Sequence, residues 1–116
     1  MRVLSEAQFD AWSGLRLAPI EEVREGVWAV PLPLPVRGLP WVFSYFILDS
    51  SGDVHLVDAG WNSDESWATL AAALTHIGKQ LGDIRSLTVT HFHPDHLGMA
   101  ERIRTASGAK VGLLSI

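Results

Sequence analysis

The spacing of apolar residues changes at Gly60, and that change limits what this chain can fold into. Before it, apolar residues come in short dense runs. Gly26–Pro31 (GVWAVP) and Trp41–Leu48 (WVFSYFIL) are rich in aromatic and β-branched residues and read as strands. Between them, Leu32–Pro40 carries Pro33, Pro35 and Pro40, which cannot donate to a central ladder, so the segment reads as a loop. Asp49–Asp53 (DSSGD) is turn chemistry, and Val54–Val57 returns as a third strand. After Gly60 the period becomes helical. Asn62 or Ser63 can cap a helix that carries Trp67, Leu70, Ala71, Leu74 and Ile77 on one face and stops at Gly78 and Gly82. Ile84–Thr90 is a further strand, Leu97–Ser107 a second helix closed by Gly108, and Ala109–Leu114 a last strand. The order β-β-β-α-β-α-β predicts a mixed α/β fold, a mixed β-sheet with helices covering one face. Residues 1–25 show no clear period and read as a lead-in, leaving 26–116 as the domain.

Length and charge remove several function classes. At 116 residues there is room for one domain, and 47% hydrophobic with 19% charged residues is the balance of a globular chain. A net charge of −4, with Lys and Arg scattered, argues against nucleic acid as a partner. No cysteine is present, which excludes disulfides and thiolate metal ligands. Met1–Asp10 lacks the apolar core of a secretory signal, and no run approaches the ~20 apolar residues of a membrane span. The expectation is a cytoplasmic protein with a small-molecule partner and no membrane.

The chemistry concentrates in Thr90-His91-Phe92-His93-Pro94-Asp95-His96-Leu97-Gly98, where three of the five histidines fall within six positions. Near-extended backbone sends alternate side chains the same way, so His91 and His93 can serve one cation together. Pro94 redirects the chain, and Asp95 and His96 then project at the start of the next helix. Neutral imidazole and carboxylate are natural zinc ligands. A zinc site with an open position lowers the pKa of its water to about 7 and polarises a carbonyl or phosphoryl oxygen.

This cluster resembles the signature of the metallo-β-lactamase-fold superfamily, and Leu56-Val57-Asp58-Ala59-Gly60 is similar to the family's strand-end Asp-x-Gly element. The resemblance runs from about Val27 to the end and implies the N-terminal half of an αββα sandwich. It implies a hydrolase resembling the glyoxalase II-like and β-lactamase-like branches. In it His91 and His93 serve a first zinc, Asp95 and His96 a second, and a metal-bound hydroxide attacks an ester, thioester, lactone or amide carbonyl. Asp95 would also orient the water or take its proton. Asp58 would stand behind the ligands and orient one of them, as outer carboxylates do; on sequence alone, an Asp closing a strand end reads equally well. Iron in place of zinc, and with it a di-iron oxidoreductase, stays open.

The chain also departs from the family, whose remaining metal ligands, a third His, a bridging Asp and a further His, come from the second half of the fold. No His follows His96, no Asp follows Asp95, and Glu101 is the last carboxylate side chain. The expectation is therefore an incomplete site, inactive alone and completed by a missing C-terminal half or by self-association, with a bare apolar inner face on the sheet. A non-catalytic interaction module is the alternative. Elsewhere, His55 reads as a packed or surface residue and His76 as a helix-end residue. Leu32, Leu34, Val36, Leu39 and Trp41 could form an apolar wall beside the site, with Trp41 touching substrate, although ordinary packing explains them as well.

Overall fold

A computed structural model describes residues 19–36, 39–91 and 93–113, apart from the side chains of residues 35, 36, 39, 40 and 95. Six strands form one mixed sheet in sequential order: β1 (Glu21–Arg24), β2 (Val27–Val36), β3 (Leu39–Leu48), β4 (Val54–Val57), β5 (Ile84–Val89) and β6 (Lys110–Leu113). The first four pair antiparallel, whereas β4, β5 and β6 run parallel. Parallel neighbours need crossovers. Helix α1 (Asp64–His76) supplies the first, and a short helix α2 (Pro94–Leu97) with α3 (Ala100–Ser107) the second. The mixed α/β architecture read from the sequence is the one found.

Helix α1 begins where Ser63 accepts a hydrogen bond from the Ser66 amide, one of the two caps expected. Its Leu70, Ala73 and Leu74 enter the core with Val30, Leu32, Phe46, Val54, Leu56, Leu87, Val89 and Ile103. Ser66, fully buried, donates through Oγ to the Pro33 carbonyl at 2.9 Å and pins α1 to β2. The second helix starts earlier than Leu97 and is interrupted. Pro94 opens α2, a position where its missing N–H costs nothing, and Ala100 opens α3.

Two segments differ from the sequence reading. Glu21–Arg24, within the segment read as lead-in, is strand β1 and pairs with Val27–Ala29; four residues are too few to show a period, and three of them are exposed. The rest of that segment, 1–18, lies outside the described residues. The proline-rich stretch is mostly strand, because β2 runs on through Val36 and β3 begins at Leu39. The reason is parity. Pro31, Pro33 and Pro35 alternate, so their missing donors all fall on one side of the strand. The ladder to β3 continues through Pro33↔Trp41, while β1 reaches only as far as Ala29. Beyond Ala29, β2 is an edge among the described residues, which is where proline is tolerated.

This geometry sets one end of the sheet apart. Tyr45 of β3 pairs with Val57 at the end of β4, so the preceding part of β3 and its partner in β2 project past the carboxyl ends of β4 and β5. The histidine cluster follows β5 at the same end.

Candidate metal centre

The site is assembled from two loops that leave neighbouring parallel strands. Asp58 follows β4, and Thr90 and His91 follow β5. Asp58 has φ 69°, a left-handed conformation that Asp tolerates better than most residues. Its amide donates to Thr88 O at 2.8 Å. The next two residues lock the loop to the cluster: Ala59 N–H donates to His96 O at 2.6 Å, and Met99 N–H donates to Ala59 O at 3.2 Å. Two glycines permit that approach. Gly60 is left-handed at φ 63°, and a methyl group there would press on Leu32. At Gly98 a methyl group would overlap the carbonyl oxygens of Gly60 and Pro94 and the amide of Asn62.

The Asp58 carboxylate lies at the centre of these contacts. It accepts from the Thr90 amide at 2.7 Å, from the Thr90 hydroxyl at 2.9 and 2.7 Å, and from His96 Nδ1 at 2.9 Å. Asp58 is buried, and His96 is half-buried beside it. The His91 ring lies 4.8 Å from that of His96 and stacks on His93 at 6.1 Å, centroid to centroid. The structure thus makes the ring of His91 a neighbour of both His93 and His96, with His96 bonded to Asp58. The side chain of Asp95 lies outside the described residues.

The donor chemistry suits a divalent metal. With Nδ1–H of His96 directed at Asp58, the lone pair of the neutral ring is on Nε2, and a carboxylate behind a histidine is the usual support of a metal ligand. The set is also short, because the described residues contain no group of three or more His, Asp or Glu side chains placed to hold one ion.

A family model described as the metallo-beta-lactamase superfamily matches residues 40–115. The chain belongs to the metallo-beta-lactamase superfamily. Its fold is also that of solved structures. A metallo-beta-lactamase family protein of Thermus thermophilus is 27% identical with a TM-score of 0.68, over 74% of this chain and 28% of that one. A metallo-beta-lactamase of Cronobacter sakazakii is 26% identical with a TM-score of 0.66, over 81% of this chain and 34% of that one. A beta-lactamase of Chitinophaga pinensis, at 18% identity, agrees in fold with a TM-score of 0.66 over 95% of this chain and 36% of that one. The chain therefore spans about a third of the length of these proteins. No curated protein matches it. Membership in this superfamily fits a metallo-hydrolase, and its members usually bind metal ions. No helix among the described residues is long and apolar enough to cross a membrane.

Residues beside the site are arranged differently from the expected wall. Leu32 turns into the core, fully buried, and Leu34 is half-buried. The side chains of Val36 and Leu39 lie outside the described residues. Cross-strand pairing places Pro33 opposite Trp41 and Pro31 opposite Phe43. Trp41, Phe43 and Tyr45 form a ladder with ring centroids 6.2 and 5.9 Å apart. The aromatic ladder is built by odd-numbered residues, because Leu32 has the parity of Val30 in the core. The expected bare inner face is only partly found: Ile47 is 38% exposed, whereas Trp41 is 6% and Ala29 fully buried.

Away from the site, His55 is a structural link. Its Nδ1 is 2.7 Å from Ser86 Oγ, and its Nε2 is 2.8 Å from Asp49 Oδ2. That bond, with the Asp53 and Ser51 amides, holds the Asp49 carboxyl below its ordinary range. His76 is exposed, edge-on to Trp28. Thr90 was the residue that sequence reasoning missed. Its partner Asp58 is 32 positions away, and no local pattern marks it.

Proposed function

We propose that this chain supplies one half of the metal centre of a zinc-dependent hydrolase. His91 and His93 serve a first ion, Asp95 and His96 a second, with Asp58 behind them. The observation that carries this reading is the buried Asp58 carboxylate bonded to His96 Nδ1, with the His91 ring 4.8 Å from that of His96. When bound, zinc would supply an acidic water and a Lewis acid toward a carbonyl oxygen. The residues of this chain hold the imidazoles in place and orient the water, the latter through Asp95. The substrate is a small molecule with an ester, thioester, lactone or amide carbonyl. Superfamily membership supports the reading, and so does the placement of the cluster at the carboxyl ends of parallel strands, where open α/β sheets bind ligands.

The short ligand set supports a second statement. The 116-residue chain alone does not turn over substrate, and further ligands come from another segment or from a second copy. Both statements are tested by assaying the chain on thioesters and lactones with added zinc or iron, beside His93→Ala. No turnover is expected from the chain alone. Turnover that disappears in His93→Ala would keep the hydrolase and overturn the incompleteness. Turnover that survives in His93→Ala would overturn the site. Activity with iron and not with zinc would replace the metal.

A further inference from the structure

Thr90 sits between two groups that do not touch each other directly. Its hydroxyl oxygen is 2.9 and 2.7 Å from the two Asp58 oxygens and 2.8 Å from His91 Nδ1. A threonine hydroxyl has one proton, and an ionised carboxylate can only accept. At 2.7 Å from a carboxylate oxygen, the hydroxyl proton must point at Asp58, since two oxygens with no proton between them would repel. The hydroxyl oxygen then presents a lone pair to His91, and Nδ1 of that ring must carry the hydrogen. His96 reaches the same result directly, through Nδ1 to Asp58 Oδ2 at 2.9 Å. We infer that Thr90 is a positioning residue that relays the Asp58 carboxylate to His91, so that one buried carboxylate sets the tautomer of two histidines and puts the lone pair of each on Nε2.

The relay rests on the metal-centre reading only for its purpose; its geometry stands without a metal. It also gives the Thr90 backbone a role, because its amide donates to Asp58 Oδ1 at 2.7 Å and fixes the hydroxyl over the carboxylate. Thr90 follows β5 and Asp58 follows β4, so the two strand ends are joined at the point where both histidines are aimed.

Ring nitrogen NMR of the metal-free 116-residue chain tests the relay, at a pH of about 8 where unperturbed rings are neutral. In the unsubstituted chain His91 and His96 should both carry hydrogen on Nδ1. In Thr90→Val, His91 should shift toward the Nε2–H form while His96 is unchanged. Thr90→Ser, which keeps the hydroxyl, should leave His91 in the Nδ1–H form, and Thr90→Ala, which lacks the hydroxyl and is smaller, takes the place of Thr90→Val if that variant does not fold. An Nε2–H His91 in the unsubstituted chain would overturn the relay, as would a His91 unchanged by Thr90→Val. Zinc titration of the same proteins separates the relay from the function. Affinity should fall about 10–100-fold in Thr90→Val, the usual cost of losing an outer partner, and hold in Thr90→Ser. Unchanged affinity in Thr90→Val would overturn the relay's purpose at the metal. Failure of every protein to bind zinc or iron, with the tautomers as expected, would overturn the metal-centre reading and leave the relay standing.

Discussion

Asp58 is held by charge and by backbone together, and substitutions can separate the two. Asp58→Asn keeps a residue that tolerates φ 69° but removes the charge behind His96. Zinc affinity should fall about 10–100-fold with little loss of stability, read by competition with a chromophoric chelator. Asp58→Ala should cost stability as well, because the left-handed backbone then has an unsuitable residue. Gly98→Ala acts through space alone, since its φ of −42° suits any residue. The added methyl group would push the Gly60 and Pro94 carbonyls aside and separate the loops that carry Asp58 and His96. Overpacking of this kind costs about 1–3 kcal/mol, measurable by urea unfolding.

At the scale of the elements, α1 is held by two serines with different roles. Ser63→Ala removes the helix cap and should cost about 1 kcal/mol. Ser66→Ala strips the Pro33 carbonyl of its buried donor and should cost about 1–3 kcal/mol, with the β2–β3 hairpin loosened first in hydrogen exchange. The elements were also where the sequence was most legible. Helix α1 and strands β4 and β5 show clear periods and sharp stops, so their bounds were found to within a residue or so. The proline-rich stretch is harder to read, because a missing donor suggests a break, whereas alternation puts all three missing donors on what is an edge among the described residues. Strand β1 was too short and too exposed to carry a pattern. At the site, the histidine spacing is visible because the three histidines are close in sequence. The Asp58–Thr90 bond was not, because the fold joins residues 32 apart.

For the whole molecule, acid should weaken the fold through its exposed carboxylates. Asp49 and Glu101 both lie below their ordinary range, Asp49 chiefly through its bond to His55 and Glu101 chiefly through Arg104. A lowered folded value means that the stabilisation is present above the unfolded value, near 4, and is lost as pH falls through the folded value. The thermal unfolding temperature should therefore fall below about pH 4, with a shallower fall in Asp49→Asn; both groups are exposed, so salt should flatten the effect. The sheet itself is mixed, with its parallel strands delivering both loops to one end. That arrangement makes the His cluster and Asp58 a single site although they are far apart in sequence.

The central claim is that the cluster binds metal through its own histidines, and zinc titration of the chain with each of the five histidines replaced by alanine tests it most directly. Affinity should fall in His91→Ala, His93→Ala and His96→Ala and hold in His55→Ala and His76→Ala. Binding that survives all three cluster substitutions, or that is lost equally in His76→Ala, would contradict it.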